Sequence, residues 1–265
     1  MVVVVVTWVD DIVIASKQLH LVEEVEHGLE KVEKDMQIKK QGNLKHLKHH
    51  MGMEIQRQGN KILLSQKTYI HNVLYRFGKK SCKGQKVPLN SKVKVTRETG
   101  VTGEKLDKDG IRPRVAWTKD MGLEFGGRKP NFIVYSDSDF GGETDEKRST
   151  TGFVCILSGG EVDWNNRLQQ TMAVSTCEEE YQAAGAVVRA GLWWRKLLPK
   201  LGIETGVVDI RGDNQSTLAT VISNPISSDK TKHIIISPGR GWRWGRLDSA
   251  TAAQRRWWLI SSQKL

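Results

Sequence analysis

Phe132-Ile-Val-Tyr-Ser-Asp-Ser-Asp139 is the stretch on which the fold turns: an apolar, strand-favouring run that ends in two aspartates. Downstream, Gly152-Phe-Val-Cys-Ile-Leu157 and Glu161-Val-Asp-Trp164 flank a Ser-Gly-Gly turn and predict a hairpin. Ser175-Thr-Cys-Glu178 is a capping box, and the helix it starts carries Tyr181, Ala184, Val188 and Leu192 at helical spacing before Gly202 closes it. Val207-Val-Asp-Ile210 is a further strand leading to Asp213, and Asn214 can cap the helix after it. A strand and hairpin followed by helix and strand in alternation predict an α/β or α+β domain.

Upstream, two β-branched runs, Val2–Val9 and Ile12–Ala15, enclose Asp10-Asp11 and read as strand, tight turn, strand. Leu19, Val22, Val25, Leu29 and Val32 then mark a helix over Leu19–Met36. Met53-Glu-Ile55 leads into a Lys61–Leu64 strand, and a helix follows over Tyr69, Val73, Leu74 and Phe77. The polar, glycine-spotted residues from Lys92 on read as a linker. After Ile234 the glycines, arginines and four tryptophans (Trp242, Trp244, Trp257, Trp258) show no structural period.

The 265 residues carry a formal net charge of +11, unevenly spread. Met1–Arg114 has 22 Lys/Arg against 13 Asp/Glu, Val115–Ile234 has 13 against 16, and Ile235–Leu265 has 6 against 1. The basic first part suits a polyanion such as nucleic acid, or is a solvated lysine-rich surface. Three scattered cysteines argue against a disulfide framework or a zinc site. Met1–Val6, the longest apolar run, is too short to cross a bilayer and lacks the cationic start of a signal peptide. An intracellular protein, in cytoplasm or nucleus, with no membrane association and no secretion is expected.

Asp137 at one strand end, Glu180 near a helix start and Asp213 at another strand end would meet at one sheet edge if the strands are neighbours. Clustered carboxylates repel and raise one another's pKa unless a cation neutralises them, and hard oxygens suit Mg²⁺ or Mn²⁺. Two such ions can activate water and stabilise a leaving oxygen in phosphodiester cleavage. Ordinary loop-end acids would show the same spacing.

Five motifs in one order give this region a family likeness. Tyr135-Ser-Asp-Ser-Asp-Phe140, Lys147-Arg-Ser-Thr-Thr-Gly-Phe153, Ser175-Thr-Cys-Glu-Glu-Glu-Tyr181, Gly212-Asp-Asn-Gln-Ser216 and Thr231-Lys-His-Ile234 resemble the ribonuclease H domain of copia-type retrotransposon Pol polyproteins. Trp8-Val-Asp-Asp11 is similar to the reverse transcriptase active-site hairpin, with Trp8 where that family usually has tyrosine. Met51–Ile55, Leu64-Ser-Gln66 with Tyr69, and Val87-Pro-Leu89 are similar to the stretch behind it. The resemblance implies a ribonuclease H-like mixed sheet with flanking helices, preceded by a partial palm and thumb-like fragment. It divides the chain into a reverse transcriptase part (1–91), a linker with a deletion (92–116), a ribonuclease H-like part (117–234) and an out-of-frame tail (235–265).

It also implies that Asp137, Glu180 and Asp213 are the catalytic, metal-binding carboxylates, with Mg²⁺ or Mn²⁺ as cofactor and an RNA–DNA hybrid or other nucleic acid as partner. Asp139, Glu178 and His233 are secondary candidates: Glu178 serves the capping box, and packing explains His233 equally well. Glu179 stands where the family commonly has alanine and is expected to be solvated. Asp10 and Asp11 match the polymerase metal pair, but the chain begins just before them, so no polymerase activity is expected of it alone.

The family would continue past Ile234 with a helix, a last strand and a helix bearing a fourth carboxylate, in a motif such as Ala-Asp-Ile-Leu-Thr-Lys. Nothing in frame supplies it. Trp258–Leu265 can be encoded as TGG CTG ATA TCC TCA CAA AAG CTT, and the frame starting on each third base reads Ala-Asp-Ile-Leu-Thr-Lys-Ala. The same shift over Ile235–Arg240 permits His-Phe-Xaa-Arg-Glu, similar to the family's next helix. A frameshift after Ile234 is therefore expected. The tail should add no strand, the exposed edge and uncovered apolar surface should favour aggregation, and cleavage of hybrids should be weak or absent. Two other readings are a non-catalytic nucleic-acid-binding protein and a gene-model product without a role.

Overall fold

In the computed structural model, the described residues are 2–9, 11–36, 48–81, 119–126, 130–139, 148–173, 175–212 and 242–246. The chain divides into two compact units: Met1–Lys48 with Trp193–Glu204, and His49–Leu192 with Thr205–Leu265.

In the first unit, β1 (Val3–Trp8) and β2 (Asp11–Ser16) form an antiparallel hairpin with Trp8 opposite Asp11. The two valine-rich runs pair as their β-branched side chains predict. Helix α1 spans Leu19–Met36, the bounds expected from its apolar spacing. The stripe is narrower than expected, since Val22 is buried and Val25 and Leu29 half-buried, while Leu19 is exposed. Lys17 Nζ donates to Gly202 O at 3.2 Å, tying the end of this hairpin to the Trp193–Glu204 segment.

The second unit holds two sheets. The first contains β3 (His49–His50), β4 (Met53–Gln58), β5 (Lys61–Ser65) and β6 (Gly122–Gly126) in the order β3-β4-β5-β6, antiparallel throughout. Gly59, at φ 58°, supplies the left-handed turn residue between β4 and β5. Helix α2 (Lys67–Arg76) follows, with the Thr68 N–H donating to Glu54 Oε1 at 2.7 Å at its start.

The second sheet is mixed, as the family resemblance implies. It contains β7 (Phe132–Asp139), β8 (Thr150–Leu157), β9 (Gly160–Leu168), β10 (Val208–Gly212) and β11 (Trp242–Arg246) in the order β11-β10-β7-β8-β9. β8 and β9 are antiparallel neighbours, while β10 is parallel to β7 and β11 to β10. The β8–β9 turn is Ser158-Gly159, both at positive φ (53° and 94°), as a two-residue hairpin loop with the right twist requires. A parallel neighbour needs a crossover, and α3 (Thr176–Lys200) provides it between β9 and β10. β7 is central: Phe132 and Val134–Ser138 are all buried, which explains its unbroken apolar start.

Both ends of α3 follow from local chemistry. The Glu178 N–H donates to Ser175 Oγ at 3.2 Å, the expected cap. At the other end Ile203 N–H donates to Leu198 O at 3.0 Å, and Gly202, at φ 70°, donates to Pro199 O at 3.0 Å. This is a Schellman closure on glycine. Tyr181, Ala184 and Val188 are buried as expected, whereas Leu192 is exposed; Ala183 and Val187, at 0% exposure, take the centre of the buried stripe.

One expectation about organisation is corrected, and two observations run across the expected segments. The family pattern puts Gly122–Gly126 in the ribonuclease H-like part, yet this strand pairs with β5 across a long span of chain, Gly122 opposite Ser65. Its Gly126 N–H also donates to Ser158 O at 3.0 Å, so β6 binds both sheets of the second unit together. The 1–91 and 117–234 segments are each cut by the observed units, at Lys48 and at Leu192. The tail is expected to add no strand, yet Trp242–Arg246 pairs with β10, Val208 opposite Trp242 through Gly212 opposite Arg246. An edge strand offers a row of unpaired N–H and C=O groups that an extended segment can satisfy whatever its side chains. The linker 92–116 lies outside the described residues.

Candidate active site

Strand alternation sets Ile133, Tyr135, Asp137 and Asp139 on one face of β7 and Phe132, Val134, Ser136 and Ser138 on the other. Asp137 is buried, and the Ser138 N–H donates to its Oδ1 at 3.1 Å. Asp139, at the strand end, is exposed. In the parallel register Asp209 lies opposite Ile133 and Arg211 opposite Tyr135, which pairs β10 with the first half of β7. Arg211 Nη2 and Nε reach Asp209 Oδ2 at 2.9 and 3.2 Å, and its guanidinium lies 6.0 Å from the Tyr135 ring centre.

The first turns of α3 bring the other acids. Glu178 is near the helix start, Glu180 is buried, and Glu179 is buried more deeply still, at 3% exposure. The expectation that Glu179 is solvated is therefore wrong. Counting back in steps of four from Val187 through Ala183 lands on Glu179, so helical periodicity carried the signal; the likeness to a family alanine obscured it. Burial pushes the Glu179 carboxyl above the ordinary carboxylate range. The Ser149 hydroxyl opposes that rise, Asp139 adds repulsion, the Ser138 hydroxyl opposes it less, and Asp137 adds the smallest repulsion. Ser138 Oγ and Glu179 Oε2 are both buried without a hydrogen-bond partner among the described residues, so Ser138 acts as a nearby dipole, not through a formed bond.

Gln169 fixes the helix against this edge. Its Nε2 donates to Thr151 Oγ1 and to Glu179 O, both at 3.0 Å, and its backbone N–H donates to Ser149 O at 2.8 Å. The structure thus brings Glu179, Asp137 and Asp139 within electrostatic reach of one another. Among the described residues no group of three or more His, Cys, Asp or Glu side chains is arranged to hold a metal ion. Asp213 and His233 lie outside the described residues, as does Asp10. Asp11 is half-buried at the start of β2, and Val9, before the turn, is at φ 50° and almost fully exposed. No described helix is long and apolar enough to cross a membrane.

Residues 1–91 match the family model of the reverse transcriptase (RNA-dependent DNA polymerase). The Pol polyprotein of transposon TNT 1-94 from Nicotiana tabacum is 27% identical over 281 residues, covering 88% of this chain and 21% of that protein. The Pol polyprotein of transposon RE2 from Arabidopsis thaliana is 22% identical, covering 86% of this chain and 18% of its own length. The chain is a relative of retrotransposon Pol polyproteins. It spans about a fifth of the length of these two relatives. Among solved structures, the ribonuclease H1 of Halobacterium salinarum is similar over 46% of this chain and 89% of its own, at 15% identity and a TM-score of 0.34. The Pol likeness runs through both the hairpin that carries Asp11 and the sheet edge that carries Asp137.

Proposed function

We propose that this Pol-related chain carries a ribonuclease H-type centre that hydrolyses the RNA strand of RNA–DNA hybrids weakly, with Asp137, Glu180 and Asp213 as its metal-binding carboxylates. The observation that supports this reading is that Asp137 at the β7 end and Glu180 in the first turns of α3 are both buried, with Glu179, its Oε2 without a partner among the described residues, in electrostatic reach of Asp137 and Asp139. Three carboxylates near one edge are costly without a cation. The oxygen-only donors fit Mg²⁺ or Mn²⁺, which Asp137, Glu180 and Asp213 would hold, with Asp139 and Glu178 as secondary candidates. When bound, such ions supply an activated water and neutralise charge on the phosphate.

The chain's own residues do the positioning. The Ser138 N–H orients the Asp137 carboxylate, the Ser175 cap secures the turn that carries Glu178–Glu180, and Gln169 fastens that turn to β8. The helix N-terminus of α3 adds a favourable field for the phosphodiester.

The test is cleavage of an end-labelled RNA–DNA hybrid by the full chain in Mg²⁺ or Mn²⁺, with Asp137→Asn and Glu180→Gln as comparisons. Slow cleavage that either substitution abolishes supports the assignment. Cleavage that survives both, or none above the variants in either metal, overturns it.

A further inference from the structure

Val2-Val-Val-Val-Val-Thr-Trp-Val9 is a β-branched run without a charge. An unbroken run of this kind is the pattern of a strand covered on both faces, not of one with a wet side. In the structure the second half of β1 is covered on neither. Val5, Val6 and Trp8 are 48%, 49% and 58% exposed, and alternation puts Val5 on one face and Val6 and Trp8 on the other. Among the described residues β1 pairs with β2 alone, so its outer edge takes no strand. The hairpin itself is closed at both ends. Val9, at φ 50°, opens a two-residue turn with Trp8 opposite Asp11, and at the base Ser16 Oγ donates to Val2 O at 3.0 Å. With that loop length the closing pair exchanges its N–H and C=O groups, so Val3, Val5 and Thr7 turn theirs toward the open edge.

We propose that β1 pairs antiparallel with β1 of a second copy of this chain, about a two-fold axis at Val5. That register bonds all three outward-facing residues, with Val5 opposite Val5 and Val3 opposite Thr7, and sets Val4 opposite Val6. The edge carries none of the devices that keep strands apart: Val3–Trp8 has no lysine, no proline and no bulge. Charge selects the direction. Parallel pairing in register would bring both Asp11 residues to one end, whereas the antiparallel form sets Asp11 of each copy at the end where the other carries Lys17. A seam of one strand pair is smaller than the roughly 1,200 Å² of a standard interface, so the association is weak and concentration-dependent.

The experiment is sedimentation velocity of the full chain between about 1 and 100 µM. The parent should pass from monomer to dimer across that range. Val5→Lys and Val5→Glu should each stay monomeric, because the two-fold axis sets each new charge against its own copy. An equimolar mixture of the two should dimerise, since lysine then faces glutamate; this recovery separates lost pairing from lost folding. Val6→Lys, at a position as exposed as Val5, would face Val4 and should weaken dimerisation without abolishing it. Dimers that survive both Val5 variants would put the contact elsewhere, and a parent monomeric throughout would leave the edge to a strand of another protein. Either result overturns the proposal, as does a mixture that stays monomeric or a Val6→Lys chain that loses dimerisation altogether.

Discussion

Gly160 opens β9 at the point where the two sheets of the second unit meet through β6. A Cβ built there would lie 2.5 Å from Cδ1 and Cε1 of Phe125 and 2.8 Å from Cζ, against the 3.4–4 Å of ordinary contact. The backbone at Gly160 is not left-handed, so alanine gains about 0.5–1 kcal/mol from a less flexible unfolded chain. The overlap costs more, on the order of 1–3 kcal/mol for an overpacked contact. Phe125 is half-buried and can give way, which holds the net loss to about 1–2 kcal/mol. Gly126 has no such relief. Its Cβ would lie 2.2 Å from the Asn60 carbonyl oxygen, and its φ of 106° is one that L-residues rarely adopt. Gly126→Ala should cost about 3 kcal/mol or more. Urea unfolding of the full chain, followed by tryptophan fluorescence, measures both. Phe125→Leu in the Gly160→Ala background should recover most of the loss, because it removes the ring edge. A Gly160→Ala protein as stable as the parent, or one that Phe125→Leu does not rescue, would show that β6 and β9 do not pack as described.

Three further outcomes follow from the same unit. Gln169→Leu should cost about 1–2 kcal/mol, since it loses two hydrogen bonds but also removes a buried, unpaired Oε1; Gln169→Glu should cost more, about 3 kcal/mol, because a carboxylate cannot donate to Glu179 O. Glu179 binds its proton more tightly folded than unfolded, so the parent loses stability as pH rises from the unfolded carboxyl pKa, about 4.3, through the raised folded value. Glu179→Gln should therefore be the more stable protein at pH 7 by thermal unfolding, with the gap closing below pH 4; no gap at pH 7 would argue against a buried ionised acid. Burial pushes the Cys155 thiol far above its ordinary range, so peptide mapping should find it unmodified by iodoacetamide at pH 8 until urea unfolds the chain.

Elements whose hydrogen bonds are local are legible in the sequence. The valine runs around Asp10-Asp11, the apolar spacing over Leu19–Met36 and the Ser175 and Gly202 caps all encode their structure within a few residues. The α/β or α+β class follows from strand and helix alternation, and the mixed sheet from the family resemblance. What the sequence hides is non-local. Gly122-Leu-Glu-Phe-Gly126 is a short strand bounded by glycines, and nothing in its own pattern selects β5 over β7 as partner; in the structure Lys61 pairs with Glu124 beside that seam and Phe125 packs over Gly160. Glu179 escapes the sequence reading for a different reason. A family pattern assigns positions by type, whereas burial follows the helical angle that Val187 and Ala183 fix.

The strand at Trp242–Arg246 separates what a sheet demands from what a catalytic centre demands. Pairing with β10 needs extended backbone with free N–H and C=O groups, and tryptophan is among the residues that favour a pleated strand. Backbone hydrogen bonds do not depend on reading frame, so a segment unrelated to the family pattern can still close the edge at Val208–Gly212. A metal site is less tolerant, because it needs oxygen charge at a defined point, and Trp242-Arg-Trp-Gly-Arg246 adds two cations and no acid. The single acid after Ile234 is Asp248, followed by Ser-Ala-Thr and not by an apolar helix. Completing the sheet therefore does not complete the centre. If the tail is frameshifted, a variant carrying the alternative frame after Ile234 should raise hybrid cleavage by more than it raises the unfolding midpoint, because the edge is already paired and an acid is what that frame would add. A gain in stability without a gain in cleavage would mean that the tail had been limiting the fold and not the chemistry.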